Sequence, residues 1–334
     1  MNKKIRILSL DGGGIKGVIT SVLLNNIEKM FQVENNNPDY RLVDDFDMVV
    51  GTSTGAIITG LLLVNDCNGN LKYNTDDVVN LYMTEGSKIF KKNFWYKIKT
   101  LFGLFGSKYQ SDSYDELLLK YFSDSKLSDL NKPSIITSYD TNKRKCVLFK
   151  QHHAIKNESK NFYIREIIKA SSSAPIYFKP SKIFSLSGEE YSLIDGGIYA
   201  NNPAMCGFVE IDKLFKKEDG SNYGLKDIQI LSIGSGTYKR KYKWLDIRNW
   251  GILQWIIPFI EMSMSAVNEI TNYQFKRMFM LENVSENYLR INVNLEESDC
   301  KIDNVEKSNI DKLKIIGDEL FLINKDIIKK FMNR

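Results

Sequence analysis

Apolar positions along the chain fall into short runs and helical stripes that alternate. Residues 5–10 form a compact β-branched and aliphatic run, followed at once by Asp11-Gly12-Gly13-Gly14-Ile15-Lys16-Gly17. Val18, Leu23, Leu24, Ile27 and Met30 then recur at helical spacing, which predicts strand, glycine loop and helix. The same order returns with a short buried strand over 46–50, the tight turn Gly51-Thr52-Ser53-Thr54-Gly55 and an apolar helix over 56–64. Further strands are predicted at 134–139, 145–149, 191–194 and 228–233, and a helix at 164–172. Ile315, Ile316, Leu320, Ile323, Ile327, Ile328 and Phe331 share a helical stripe, predicting a C-terminal helix packed on the body. Strands alternating with helices imply the α/β class, with parallel pairing in a sheet covered on both faces.

Composition narrows the class little further. The 334 residues are 43% hydrophobic and 26% charged, with 6 prolines and 21 glycines, which fits a folded chain able to bury a large core. Net charge is +5, from 46 Lys+Arg against 41 Asp+Glu. That is a mild bias toward anionic surfaces such as phospholipid headgroups and far short of a nucleic-acid binder, so neither DNA nor RNA is an expected partner. Cys67, Cys146, Cys206 and Cys300 are far apart and have no C-x-x-C pairing or interleaved histidine, which suggests neither a zinc site nor a disulfide framework. The apolar stretch before Asp11 is too short for a signal-peptide core, and no run of about eighteen apolar residues occurs. A cytoplasmic protein is expected, with peripheral contact at the inner face of the membrane.

Two segments stand apart. Residues 89–109 interleave five lysines with Phe90, Phe94, Trp95, Tyr96, Phe102 and Phe105, and residues 244–264 bring Trp244, Trp250, Trp255 and an apolar 255–260 run. Rings and basic groups mixed in this way suit a lipid interface; the alternative is that the aromatics pack inward or line a pocket.

The chemistry concentrates in three motifs. Gly51-x-Ser53-x-Gly55 between a strand and an apolar helix has the form of a nucleophile elbow, whose small flanking residues permit a strained turn that presents the serine hydroxyl. The helix N-terminus beside Ser53 turns backbone N–H groups toward any anion forming on an attacked carbonyl. A serine needs a base, and the chain has only two histidines, His152 and His153. The order Ser, acid, late His is therefore unavailable; a triad of Ser53, Asp140 and His152 or His153 can be drawn but has no motif behind it. Asp195, at the end of a predicted strand and followed by Gly196-Gly197, is the alternative base, effective only if positioned and partly desolvated. The glycine loop from Asp11 to Gly17 could bind a phosphate or a tetrahedral oxyanion through successive N–H groups. It fits neither nucleotide fingerprint, and Lys16 within it is a candidate phosphate or loop contact.

Taken in this order, the motifs resemble the patatin-like phospholipase family: a D-G-G-G-x-R/K-G loop, a G-x-S-x-G elbow and a distant D-G-G/A turn. Residues 170–178 (ASSSAPIYF), 231–237 (LSIGSGT) and 287–290 (NYLR) are similar to further segments of that family. The resemblance implies Ser53 as nucleophile and Asp195 as base of a Ser-Asp dyad, with the N–H groups of Gly12, Gly13 and Gly14 as oxyanion hole and neither metal nor cofactor. It implies a three-layer α/β/α body with a mostly parallel sheet. One domain over 1–334 is expected, with insert-like segments at about 65–132 and 238–286 and a C-terminal helix at about 303–333. The implied activity is hydrolysis of fatty-acyl esters of membrane phospholipids, of phospholipase A or lysophospholipase type, through an acyl-enzyme. Some bacterial relatives resemble effectors switched on by a cyclic oligonucleotide, and such an activator is an expectation here, with antiviral defence its role. The alternatives are a transacylase using the same dyad and a non-catalytic membrane-surface or nucleotide-binding module.

Overall fold

The computed structural model describes residues 4–90, 107–109, 111–296 and 301–333. Its centre is one sheet of eight strands, β1 (Ile5–Leu10), β2 (Met48–Gly51), β3 (Ser134–Asp140), β4 (Lys145–Lys150), β5 (Ser181–Phe184), β6 (Glu190–Asp195), β7 (Ile228–Ile233) and β8 (Tyr288–Ile291). β3, β2, β1, β7 and β8 run parallel to one another in that order, while β4 and β6 join β3 antiparallel and β5 extends β6. The principal helices are α1 (Gly17–Glu34), α2 (Thr54–Leu63), α3 (Asp112–Phe122), α4 (Ile164–Ser171), α5 (Gly197–Ala200), α6 (Ile252–Leu281) and α7 (Lys307–Met332).

The period-two geometry of a strand sends successive side chains to opposite faces, and both faces are covered. Leu8, Leu10 and Val49 join the larger core with the apolar residues of α1, α2 and α7. Ile5, Ile7, Met48 and Val50 join the smaller one with Ala204, Ile211, Phe275 and Phe279. The result is the expected three-layer α/β/α arrangement around a mostly parallel sheet. The residue patterns mark β1 and β7 to the residue. They do not mark β5 or β8, four-residue strands with little pattern to read.

Most of the basic-aromatic segment 89–109 lies outside the described residues. Its ends pack inward: Phe90 and Tyr109 are buried against each other and against Phe178, with ring centroids 5.6–5.8 Å apart. Among the described residues, no helix is long and apolar enough to cross a membrane.

Candidate active site

Ser53 stands at the turn from β2 into α2 with φ +54° and ψ −118°. These are costly values for a residue with a Cβ, and they hold the hydroxyl clear of both elements. The turn is tight enough that a Cβ on Gly55 would lie 2.2 Å from the Leu10 carbonyl oxygen. It is also braced: the Ser53 N–H donates to Ser171 Oγ at 2.9 Å, and Thr52 Oγ1 donates to the Ala200 carbonyl at 2.6 Å.

The register of β3 brings Asp195 to this turn. β4 occupies one edge of β3 from Ile135 to Asp140, so β2 and β6 share the other. There they run head-on, Gly51 opposite Ile136 and Asp195 opposite Ser138. The strand ends meet, and Ser53 lies near enough to Asp195 for its hydroxyl to favour the ionised carboxylate. Asp195 Oδ1 also accepts the Gly197 N–H at 2.7 Å, and the Asp195 N–H is held by the Ser173 carbonyl at 3.0 Å. The carboxylate is buried. Desolvation raises its pKa from the usual carboxylate value to about 6, against the smaller lowering effect of the Gly197 and Ser53 hydrogen bonds.

The glycine loop crosses above the elbow from the end of β1. Asp11 anchors it: buried Arg290 on β8 grips both carboxylate oxygens, one at 2.8 Å, and also donates to Ser232 Oγ at 2.8 Å. Gly14 takes φ +61°, and a Cβ there would meet the Ile302 carbonyl at 2.3 Å. Among the described residues the N–H groups of Gly13, Gly14 and Thr54 have no hydrogen-bond partner, and all three residues line the cavity that holds Ser53. Gly12 departs from expectation. Its N–H donates to the Asn201 carbonyl at 3.0 Å and it lies outside that cavity, so it is a structural residue of the loop. Thr54, the first residue of α2, presents the third N–H, at the helix N-terminus beside Ser53. Lys16 is buried, and its ammonium donates to the Gly236 carbonyl at 3.2 Å. It is a loop contact, on a second, polar cavity shared with Glu261 and Asn268.

The cavity over Ser53 is otherwise apolar. Ile57, Phe90, Phe178, Ile198, Ile260 and Met264 are among its walls. Tyr114 closes one side and hydrogen-bonds Ser172 at 2.7 Å. Such a mostly apolar space, with a few polar groups including Ser53 and Asp195 in its lining, suits a hydrocarbon chain.

The histidines are elsewhere. β4 runs opposite to β3, Lys145 facing Asp140 and Lys150 facing Ile135, so His152 and His153 leave from the end of the sheet away from Asp140. The stretch from Lys145 to Lys150 alone spans about 16 Å. Asp140 Oδ1 instead accepts the N–H groups of Asn142 and Lys143 in the turn after β3. His152 and His153 sit beside Glu210, their ligand-type atoms within 4.8 Å of one another, and Lys150 and Lys213 bind the Glu210 carboxylate at 2.7 and 3.0 Å. A triad of Ser53, Asp140 and either histidine is ruled out by this register.

Comparison with known proteins agrees with the fold. The family profile described as Patatin-like phospholipase matches residues 8–205, from β1 through the elbow and past Asp195. Patatin-like protein 4 of Arabidopsis thaliana is 30% identical over 96% of this chain and 84% of its own length. Patatin-like protein 2 of Oryza sativa subsp. indica is 31% identical over 97% and 85%, and Patatin-04/09 of Solanum tuberosum 26% over 96% and 84%. Over nearly its whole length, then, this chain belongs to the patatin-like phospholipase family, and it is a lipid acyl hydrolase.

Proposed function

We propose that the protein cleaves fatty-acyl esters of membrane phospholipids with a Ser53–Asp195 dyad and an acyl-enzyme intermediate. Ser53 Oγ attacks the ester carbonyl while its proton passes to Asp195. The carbonyl oxygen becomes an oxyanion, and the N–H groups of Gly13, Gly14 and Thr54 are the donors available to it. Each well-aimed donor of this kind contributes about 3–4 kcal/mol to the transition state. As the tetrahedral intermediate collapses, Asp195 returns the proton to the departing alcohol oxygen. Water then attacks the acyl-Ser53 ester with Asp195 again as base, releasing the fatty acid and restoring the serine.

The observation that carries this reading is that the strained elbow at Ser53 and the buried Asp195 carboxylate, its pKa raised to about 6 by desolvation, line one largely apolar cavity together. An ordinary carboxylate is too weak a base to serve serine at neutral pH. One desolvated to about 6 is ionised at pH 7 and yet has gained basicity, without a histidine. The acyl chain lies along Ile57, Phe178 and Ile198, and the ester reaches the serine at the mouth of that channel.

A lipid-like fluorophosphonate followed by peptide mass analysis tests the assignment. The reading expects one adduct, on Ser53, absent from Ser53→Ala and slowed strongly in Asp195→Asn. Labelling that persists in Ser53→Ala would refute it.

A further inference from the structure

Helix α6 has two halves with opposite surroundings. The C-terminal half is packed: Thr271, Phe275 and Phe279 are buried, and the two phenylalanines stack on Tyr288 with centroids 5.0 and 6.0 Å away. The N-terminal half, Ile-Leu-Gln-Trp-Ile-Ile-Pro-Phe-Ile over 252–260, carries no charge, and none of its residues is buried. Ile252 is 81% exposed, Leu253 75% and Phe259 63%, with Trp244 and Leu245 at 68% just before them. A continuous apolar surface of this kind is unfavourable against water and marks a contact. Pro258 removes one backbone donor from this half.

The same half forms part of the catalytic cavity, because Ile260 and Met264 turn inward and line the space over Ser53. The chain leading into it is basic. Between 239 and 264 the sequence holds Lys239, Arg240, Lys241, Lys243 and Arg248 against Asp246 and Glu261, and Lys239 pairs with Glu269 at 2.8 Å. Lys241, Lys243 and Arg248 are exposed and have no ion-pair partner among the described residues. Between the basic stretch and the apolar one lies an aromatic cluster, Tyr242, Trp250 and Trp255, joined edge to face at 5.2 Å.

We infer that this face docks the enzyme on an anionic lipid surface and that α6 is both the anchor and one wall of the acyl channel. The order of residue types matches a lipid interface read from water inward: cations at the phosphates, Tyr and Trp at the headgroup boundary, aliphatic side chains in the acyl layer. A second copy of the chain is the weaker occupant, since a two-fold contact on this face would bring two basic rims together. Because Ile260 and Met264 share the helix with Leu253 and Phe259, docking presents the channel mouth to the lipid from which the acyl chain is drawn. The inference rests on the lipid acyl hydrolase reading for the use of the channel, and on the exposed face alone for the docking.

The test compares wild type, Leu253→Asp/Phe259→Asp and Lys241→Gln/Lys243→Gln/Arg248→Gln. Each is measured for co-sedimentation with phosphatidylcholine vesicles with and without phosphatidylglycerol, for fatty-acid release from them, for turnover of soluble p-nitrophenyl butyrate, and for mass by light scattering. We expect wild type to prefer phosphatidylglycerol vesicles. The charge variant should bind them about a hundredfold more weakly, since each cation near such a surface is worth about a factor of five. The aspartate variant should lose binding and vesicle hydrolysis, with soluble turnover within about twofold of wild type and an unchanged mass. Vesicle binding unaffected by either set would overturn the inference, as would a mass that falls in the aspartate variant, which would assign the face to self-association. Vesicle binding by a wild type that turns over neither substrate would sink the catalytic reading and leave the docking intact. Soluble turnover without vesicle binding would do the reverse.

Discussion

Asp195→Asn should lower activity sharply and stabilise the protein, with a pH dependence that reports the cause. The side chain is buried, and its pKa lies at about 6 in place of the usual 3.8, so the fold prefers the neutral carboxyl by about 3 kcal/mol. That stability is fully present below pH 3.8 and lost as pH rises through about 6. Above it, the native enzyme carries a desolvated charge that the variant lacks. The amide has the same shape and can accept from Gly197 and donate to Ser53 Oγ. A fixed cost from exchanging those hydrogen bonds would displace the curve without altering its slope. Urea unfolding at a series of pH values, followed by circular dichroism, should show the variant gaining about 3 kcal/mol at pH 7–8 and about half of that at pH 5. In thermal unfolding the upper figure corresponds to about 4 °C. Activity should move the other way, with kcat/KM about 10²–10⁴-fold lower in the variant, while the native enzyme rises with pH to a plateau above about 6. A stability difference that is flat across this range would refute the reasoning, because burial of an ionised Asp195 could then not be the source.

Three further outcomes follow from particular contacts. Arg290→Met strips the buried Asp11 carboxylate of its partner and should cost about 3–5 kcal/mol by urea unfolding, with part recovered in the Asp11→Asn/Arg290→Met double variant. Gly55→Ala places a methyl 2.2 Å from the Leu10 carbonyl oxygen; it should lower Tm and reduce turnover of a soluble ester together, since the elbow must open to admit it. For the activator expected from resemblance, a panel of cyclic di- and trinucleotides added to the purified enzyme should raise fatty-acid release if the switch operates, and full activity that no member of the panel changes would remove it.

The parts of the site that were legible in the sequence are those coded locally. The β-branched run of β1, the five-residue elbow at Ser53 and the strand end at Asp195 each announce themselves within a few residues, because a turn that excludes Cβ atoms or a buried strand leaves a short signature. What joins them is long-range and left none. Ser53 and Asp195 meet because β2 and β6 abut along one edge of β3, a consequence of register that no window on either strand contains. Gly12 looked equivalent to Gly13 and Gly14, yet the carbonyl that takes its N–H belongs to Asn201. The role of Arg290 as clamp on Asp11 across 279 positions was likewise invisible, although the residue itself stood in a matching segment. Helix α6 was obscured by Pro258 and by aromatic residues that serve a strand, a helix or a surface equally well.

The most direct test of the central claim is free fatty-acid release from mixed phospholipid vesicles by wild type, Ser53→Ala, Asp195→Asn and His152→Ala/His153→Ala. The account predicts release by wild type and by the histidine variant at comparable rates, and none above background from either dyad variant. Release that survives loss of Asp195 but falls with the histidines would contradict it.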